Sequence, residues 1–314
     1  MSLIAIIGPT ATGKTALAAR LAYELNGEVI SADSRQVYRG MDIGTGKDYG
    51  DYFVSGIQVP YHLIDLVDPG YEYNIFEYQQ DFLKVYHDIL QRKKIPILCG
   101  GSGMYIEAVL KGYRLAKAKN DDEFFVALKD KTDDHLVEIL KSYKTLHNIT
   151  DLENRNRLLK AILMARSSDI SGLPDKHGSF PTDSPQNHTF PKIESTVFGV
   201  SYPRELLRVR IAERLENRLN NGMITEVERL LQSRISPERL MKYGLEYRFV
   251  TLFLTGKLSR SEMFSELNIA IRQFAKRQMA WFRRMERQGT PIHWIDGRML
   301  PERKVAEIKL LVSN

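Results

Sequence analysis

The chain has 314 residues, a formal net charge of +6, 43% hydrophobic and 27% charged residues, which is typical of a globular protein larger than one ordinary domain. Its single cysteine, Cys99, excludes an internal disulfide framework and a cysteine cluster for zinc or iron–sulfur. The apolar start, Leu3–Ile7, is too short for a signal peptide, and no run approaches the roughly 20 apolar residues of a membrane helix, so we expect a cytoplasmic protein with no membrane partner.

Strands and helices alternate in the first hundred residues. Leucines at every fourth position, followed by Asn26-Gly27, predict a helix over Lys14–Leu25, and Asp81–Arg92 is also predicted to be helical. Short apolar runs predict three strands, at Leu3–Ile7, Glu28–Ala32 and Ile95–Cys99. Strand, helix and strand in alternation indicate a parallel sheet with crossover helices.

A phosphate-binding motif follows the first strand. Gly8-Pro9-Thr10-Ala11-Thr12-Gly13-Lys14-Thr15 matches G-x-x-x-x-G-K-[ST] and leads into the first helix. The glycines let the backbone fold into a nest of N–H groups aimed at phosphate oxygens, Lys14 adds a positive charge, and Thr15 offers a hydroxyl to Mg²⁺. The helix N-terminus faces the same anion. The motif predicts a phosphate site without specifying ATP.

Polar side chains follow the second and third strands. Asp33 and Ser34 lie at the carboxyl end of the second strand, the edge at which open α/β sheets bind ligands. Asp33 can act there as a general base or orient Mg²⁺ through water, and the alternative is an Asx turn that closes the strand. The turn Gly100–Gly103 follows the third strand, and its glycines allow close backbone approach while Ser102 offers a hydroxyl.

The middle of the chain has a different pattern. From about Asn120 to Ser171 apolar residues recur at helical spacing, and Ser171–Pro191 is rich in glycine and proline. Thr196–Val200 returns to strand character, and the remainder is mostly helical. We therefore predict an α/β fold: a P-loop NTPase-like parallel-sheet core with C-terminal helices, formed by residues 1–117 and 191–314, and a helical insertion domain over residues 118–190.

Two groups of basic residues stand on predicted helices. Arg210 and Arg214 lie four apart on the helix Arg204–Arg218, either at a ligand or on a solvated face. Between Arg272 and Arg287 six basic residues and one acid give a charge of +5, and a basic face on a packed helix favours RNA phosphates. The buried stripe of that helix is predicted to comprise Phe264, Leu267, Ile271, Phe274 and Trp281.

Taken together, these motifs resemble the tRNA dimethylallyltransferases. The matching segments run in family order and are Gly8–Thr15, Ser31–Ser34, Tyr38–Lys47, His62–Asp65, Gly100–Gly103 with Tyr105-Ile106, Arg272–Gln278 and Trp281–Arg283. The string Tyr38–Lys47 is the most specific, since no general P-loop requirement produces it. No zinc-finger spacing appears near the C-terminus, which favours the bacterial type of this family.

The resemblance implies transfer of a dimethylallyl group from dimethylallyl diphosphate to N6 of the adenosine 3′-adjacent to the anticodon of tRNA (adenosine 37), with diphosphate released and Mg²⁺ as cofactor. The implied catalytic residues are Asp33 as general base, Lys14, Ser102 and Arg214. The implied diphosphate-binding residues are Gly8, Thr10, Ala11, Thr12, Gly13, Lys14, Thr15, Arg210 and Arg214, with Thr15 also the metal ligand.

The anticodon stem-loop of tRNA is the expected partner of a monomeric enzyme. The residues expected to contact it are Asp33, Ser34, Arg35, Gln36, Ser102, Arg157, Lys160, Arg272, Lys276, Arg277 and Arg283. The target base must be drawn out of the loop into a pocket, as in other base-modifying enzymes. The sequence departs from the family at Phe124-Phe125, which replace an arginine, at Gly244–Arg248, and at Ser102, which replaces a threonine.

Two other functions are compatible with the P-loop. In a small-molecule kinase Asp33 would deprotonate a substrate hydroxyl and arginines of the insertion would cover ATP, but the Arg272–Arg287 face would have no role. An RNA-binding or regulatory NTP switch would need no turnover, and the placement of Asp33 and Lys14 in one crevice disfavours it.

Overall fold

The computed structural model describes residues 2–113, 190–233 and 235–312, and within the intervening segment residues 124, 127, 128, 130–143, 155, 158, 159, 161, 162 and 165. The chain separates into two compact units, one formed by Met1–Tyr113 with Pro191–Asn314 and the other by Arg114–Phe190. Among the described residues, no helix is both long and apolar enough to cross a membrane.

The larger unit is built on a six-stranded sheet. Its strands are β1 (Leu3–Ile7), β2 (Gly27–Ala32), β5 (Tyr61–His62), β6 (Ile95–Gly100), β7 (Ser195–Ser201) and β8 (His293–Asp296), and a separate antiparallel pair is formed by β3 (Phe53–Val54) and β4 (Ile57–Gln58). The order in the sheet is β5-β2-β6-β1-β7-β8, and every neighbouring pair is parallel. The predicted parallel sheet is confirmed, and the short strands β5 and β8 are additions to it.

Helices connect and surround the strands. They are α1 (Lys14–Leu25), α2 (Ile75–Gln91), α3 (Gly103–Leu110), α4 (Asp133–Tyr143), α5 (Arg204–Asn220), α6 (Met223–Gln232), α7 (Pro237–Leu240), α8 (Leu245–Leu254), α9 (Arg260–Arg287) and α10 (Pro301–Val312), with a 3₁₀ turn at Tyr49–Tyr52. The helix predicted at Asp81–Arg92 starts earlier than expected. Asn74 accepts hydrogen bonds from the backbone of Phe76 and Glu77, and Glu77 returns to the backbone N–H of Asn74, so a capping box fixes its start.

Two cores hold the larger unit together. The central strand β1 is buried at all five positions, as expected for a strand with neighbours on both sides and helices on its faces, and Ile4 and Ile6 pack with Leu17 and Leu21 of α1. A second core joins the segment from Val37 to Met41 to apolar residues of α5, α6, α8 and α9. This second core anchors the family-specific segment Tyr38–Lys47 beside the carboxyl edge of the sheet.

The smaller unit has a hydrophobic cluster of its own. Its buried members are Leu128, Leu136, Leu140, Leu158, Leu159, Ala161 and Ile162. Arg155 pairs there with Asp133 of α4. Arg157 and Lys160, which are predicted to contact tRNA, lie outside the described residues.

Candidate active site

A cavity of about 690 Å³ lies among the loops that follow β1, β2 and β6, with α5, α8 and α9 completing its walls. This volume is typical of small-molecule sites. The predicted site residues that line it are Thr10, Lys14, Thr15, Asp33, Ser34, Arg35, Gln36, Ser102, Arg214 and Arg277. The three carboxyl-edge segments that the sequence places at one site therefore do meet there.

The other predicted residues of the larger unit do not line the cavity. They are Gly8, Ala11, Thr12, Gly13, Arg210, Arg272, Lys276 and Arg283. Thr12 is buried and its hydroxyl donates to the carbonyl of Pro9 at 2.9 Å. Arg210 donates from Nε to the carbonyl of Ala11 at 2.9 Å and lies 4.7 Å over the ring of Tyr202. It therefore supports the P-loop backbone from outside the cavity.

The P-loop has the backbone shape of an anion nest. Ala11 and Gly13 have positive φ angles of 62° and 75°, which breaks the regular turn and lets successive N–H groups converge. Lys14 Nζ lies 3.4 Å from the carbonyl oxygen of Pro9. Burial lowers the pKa of the Lys14 ammonium, and the nearby Arg214 charge lowers it further. A bound anion would relieve this unfavourable concentration of positive charge.

Gln278 of α9 connects the P-loop to the Gly100–Gly103 turn. Its side-chain oxygen accepts from the backbone N–H of Thr10 at 2.9 Å, and its side-chain nitrogen donates to the carbonyl of Gly101 at 2.9 Å. Gln278 is not among the predicted site residues. Its signal in the sequence is a polar residue on the buried face of a helix, because such a group needs hydrogen-bond partners.

Asp33 combines the two alternatives that the sequence leaves open. Its Oδ1 accepts from the backbone N–H of Arg35 at 2.9 Å, which is the Asx turn, and its side chain also lines the cavity. Its Oδ2 has no hydrogen-bond donor among the described residues. Ser102 lies beside it, with Oγ accepting from the backbone N–H of Ser34 at 3.0 Å. One carboxylate oxygen of Asp33 is thus fixed and the other is left for a ligand.

At the charged end of the cavity, the predicted Arg214 is joined by three residues outside the prediction, Arg218, Asp48 and Glu246. Arg214 donates to Thr10 Oγ1 at 3.1 Å and pairs with Asp48 at 2.6 Å. Arg218, four residues further along α5, lies 3.5 Å from Asp48 and 3.9 Å from Glu246. Burial by itself would raise the pKa of Asp48, but the charges of Arg214 and Arg218 hold that pKa below its usual value. The repeated spacing of four from Arg210 through Arg214 was a signal for Arg218.

The opposite side of the cavity is apolar, and here one prediction is wrong. Phe274 is 38% exposed, and both Phe274 and Trp281 line the cavity instead of belonging to the buried stripe. The buried face of α9 is formed by Met263, Leu267, Asn268, Ile271, Ala275, Gln278, Phe282 and Met285. The ring of Trp281 packs against Gly103, where a Cβ would overlap it. Met104 and Tyr105 of α3 continue this apolar wall.

Two family models match the chain. One described as IPP transferase covers residues 36–285, and one described as isopentenyl transferase covers residues 1–61. The chain belongs to the IPP transferase family. The predicted resemblance to the tRNA dimethylallyltransferases is thereby confirmed.

Individual relatives of this family agree over nearly the whole length. A tRNA dimethylallyltransferase of Parabacteroides distasonis is 51% identical over 99% of this chain and 98% of its own. One from Phocaeicola vulgatus is 52% identical over 98% of this chain and 96% of its own. The crystal structure of the tRNA isopentenylpyrophosphate transferase of Bacillus halodurans is 29% identical, spans 99% of this chain and 95% of its own, and superimposes with a TM-score of 0.69. The predicted fold class is confirmed.

The residues of this IPP transferase site also fit a magnesium ion shared with a diphosphate. Mg²⁺ at such sites keeps several waters and takes few protein ligands. Thr15 lines the cavity beside Lys14, and its hydroxyl would be the one protein ligand of such an ion. The described residues hold no group of three or more histidine, cysteine or acidic side chains that could bind a metal by themselves. Thr15, water and the diphosphate oxygens are the ligands that this arrangement offers.

The basic residues of α9 divide between two places. Arg277 lines the cavity near Phe274, whereas Lys276 and Arg283 are exposed outside it. Arg283 pairs with Glu286 at 2.9 Å and lies 4.5 Å over the ring of Trp294. The predicted contacts of Arg272, Lys276 and Arg283 with tRNA stay predictions, and the exposure of Lys276 and Arg283 leaves them accessible to a phosphate backbone.

Proposed function

We propose that this chain transfers a dimethylallyl group from dimethylallyl diphosphate to N6 of the adenosine 3′-adjacent to the anticodon of tRNA and releases diphosphate. The observation that carries the proposal is the meeting of the P-loop, the carboxylate of Asp33 and an apolar wall in one cavity. Relatives at 51% identity that are named tRNA dimethylallyltransferase support the same reaction, in preference to the small-molecule kinase.

The charged end of the cavity would hold the diphosphate. The N–H groups of the nest, Lys14 and Arg214 together supply donors and positive charge for its oxygens. Negative charge grows on the leaving oxygen as its bond to the allylic carbon breaks, so donors fixed at that position stabilise the transition state more than the ground state. Mg²⁺ held through Thr15 would add positive charge to the same leaving group when bound.

Asp33 would remove the proton from the attacking amine. The lone pair of an adenine amino group is delocalised into the ring, so N6 needs to lose a proton as it forms the bond to the allylic carbon. The Asx turn holds Oδ1, and Oδ2 remains to accept that proton. Bond formation at N6, loss of the N6 proton to Asp33 and departure of diphosphate balance the reaction.

The apolar wall would receive the two uncharged reacting groups, the dimethylallyl chain and the adenine ring. Ile271, Phe274 and Trp281 give flat and aliphatic surface next to Ser102 and Gly103. Their packing around the allylic carbon would exclude water, which otherwise competes with N6 for the same carbon. Arg35 and Gln36 line the cavity where an extruded base would need polar contacts.

The tRNA outside the cavity would be bound through its phosphates. Arg272, Lys276 and Arg283 on α9 are suited to this because α9 itself reaches the cavity through Arg277 and Gln278. The insertion domain, with Arg157 and Lys160, would add contacts to the stem-loop. The enzyme would act as a monomer.

A nucleoside assay tests the proposal. The purified chain is incubated with unmodified tRNA, dimethylallyl diphosphate and Mg²⁺, and the tRNA is digested and separated by liquid chromatography with mass spectrometry. We expect N6-dimethylallyladenosine from the position 3′ to the anticodon, and much less of it in the same time with the Lys14→Ala variant. Unchanged nucleosides in the wild-type reaction, with release of ADP when ATP and small-molecule acceptors are supplied, would contradict the proposal in favour of a kinase.

A further inference from the structure

We propose that Arg218 is a second arginine at the diphosphate, so that the leaving group is bound between the guanidinium groups of Arg214 and Arg218. The inference rests on the proposed function and extends it by one residue. Arg218 lies four residues after Arg214 on α5, and both side chains line the cavity. It thus shares a helix face with Arg214 and faces the same ligand space.

Arg218 is buried without the close partners that a buried charge normally has. Its side chain is 12% exposed, and its two carboxylate neighbours, Asp48 and Glu246, lie at 3.5 Å and 3.9 Å, which is long for charged hydrogen bonds. Its Nε is buried and has no hydrogen-bond partner among the described residues. A guanidinium that is desolvated and weakly paired is unfavourable until an anion reaches it. Burial accordingly lowers the pKa of Arg218.

The three arginines on this face of α5 differ in how they are held. Arg210 is held behind the P-loop by the carbonyl of Ala11 at 2.9 Å. Arg214 is fixed by the hydroxyl of Thr10 at 3.1 Å and by Asp48 at 2.6 Å. Arg218 has the fewest close contacts of the three, although it is well buried. Of these three arginines, Arg218 therefore has the most N–H donors left for a ligand.

The loop that contains Gly46 leaves space for the guanidinium groups of Arg214 and Arg218. Gly46 has a φ of 74° and lines the cavity, and a Cβ at this position would overlap Nη2 of Arg218 and crowd Nη2 of Arg214. Gln36 holds the loop in place by donating to the carbonyl of Gly46 at 3.0 Å. A residue with a side chain would be strained there and would displace the arginines. The loop is therefore shaped to leave space for two arginine head groups.

Asp48 explains how two like charges stay together before a ligand arrives. It accepts from both guanidinium groups, more closely from Arg214, and is itself 45% exposed. Asp48 pairs closely with Arg214 only, and Glu246, whose pKa is raised by burial, stays 3.9 Å from Arg218, so neither carboxylate uses the donors of Arg218 fully. A diphosphate carries more negative charge than one carboxylate, and its oxygens can use the donors of Arg218 that Asp48 does not reach.

Inorganic diphosphate is the probe that tests this inference. Its dissociation constant in the presence of Mg²⁺ is measured by isothermal titration calorimetry for the wild type, Arg218→Gln and Arg218→Lys. We expect about 10- to 100-fold weaker binding for Arg218→Gln, the usual worth of charge-assisted hydrogen bonds, and a smaller loss for Arg218→Lys, which keeps the charge but not the planar fork. The kcat/KM for dimethylallyl diphosphate should fall at least as far, since the leaving-group charge grows in the transition state.

The matched control is Arg208→Gln. Arg208 lies on the same helix, pairs with Glu205 at 3.0 Å and is not among the residues that line the cavity, so its loss should leave diphosphate binding unchanged. Lys14→Ala distinguishes a failure of this inference from a failure of the proposed function. If the wild type binds diphosphate and Lys14→Ala does not, the proposed diphosphate site is supported, even if the Arg218 variants bind as the wild type does.

The inference is overturned if folded Arg218→Gln binds diphosphate and turns over as the wild type does, or if it lowers only the melting temperature. Should Arg218→Gln fail to fold, Arg218→Lys decides the question. A diphosphate affinity and a kcat/KM of Arg218→Lys equal to those of the wild type would then overturn the inference.

Discussion

The two ends of the cavity are constructed in different ways. The charged end is built around one continuous loop, Gly8–Thr15, whose backbone amides and Lys14 need fixed spacing to fit phosphate oxygens, and α5 adds Arg214 and Arg218 to it. The apolar end comes from α9, and Gln278 joins that helix to the P-loop across 268 positions of the chain. Apolar groups need only area and shape, which many sequences can supply. Diphosphate recognition is therefore readable in a short motif, whereas recognition of the reacting groups depends on tertiary packing.

Asp33 lies between the two ends, and its substitution should have the largest effect. Asp33→Asn keeps the size and the Asx-turn oxygen but cannot accept the proton of N6. We expect the single-turnover transfer rate to fall by about 10²–10⁴-fold, with inorganic diphosphate affinity retained. Asp88→Asn, at a half-exposed carboxylate paired with Arg92, is the control. A transfer rate near that of the wild type would mean that solvent or departing diphosphate takes the proton.

Lys14→Ala should disable the charged end alone. We expect kcat/KM for dimethylallyl diphosphate to fall by about 10²–10³-fold, because the variant lacks the ammonium that stabilises the leaving group. Binding of tRNA, measured by filter binding without the prenyl donor, should stay within about twofold of the wild type, because Lys14 is not among the residues expected to contact tRNA. The control is Lys84→Ala, which removes a lysine that is 76% exposed on α2. Near-normal turnover in a folded Lys14→Ala variant would exclude the P-loop as the diphosphate site.

Trp281→Ala should disable the apolar end alone. The indole ring covers Gly103, so its loss opens the wall of the cavity. We expect the transfer rate to fall by about 10–100-fold, from the usual worth of aromatic contacts with a base or an alkyl chain, while inorganic diphosphate binds as before. Trp281→Phe should recover part of the rate. A parallel loss of diphosphate affinity would show that the two ends are not separable.

The basic face of α9 should have the smallest effect, and only on RNA. Replacement of Arg272, Lys276 and Arg283 with alanine is expected to weaken tRNA binding about tenfold and to reduce the slope of log affinity against log salt by about one per lost phosphate contact. A triple variant of the same charge at exposed positions remote in sequence, Lys84, Arg298 and Lys309, is the control. Equal losses in the two variants would assign the effect to net charge.

Local signals account for the parts of the fold that the sequence predicts well. Leu3–Ile7 and Lys14–Leu25 are observed with the predicted bounds because an apolar run, a glycine motif and a C-terminal Asn-Gly delimit them. The edge strand His293–Asp296 was not predicted, because it is only four residues long and its pairing with β7 depends on tertiary structure. The start of α2 depends on the Asn74–Glu77 capping box, a side-chain signal that the spacing of apolar residues does not contain.

The candidate site shows the same division. The P-loop, Asp33 and Ser102 follow strands directly, so the parallel sheet brings them together. Phe274 was assigned to the buried stripe because helical spacing places it within about 20° of the buried Leu267, but the spacing does not show that a cavity, and not another helix, covers this edge of the stripe. Asp48 and Glu246 have no motif of their own. Only the folded chain places them beside Arg218.

The most direct test of the account is an experimental structure with both substrates bound. The chain would be crystallised with an anticodon stem-loop and an unreactive thio analogue of dimethylallyl diphosphate. We expect the diphosphate on the P-loop amides, Lys14 and Arg214, and the adenine N6 within hydrogen-bond distance of Asp33 Oδ2, with the allylic carbon between them against Trp281. A diphosphate bound away from the P-loop, or an adenine whose N6 faces away from Asp33, would contradict it.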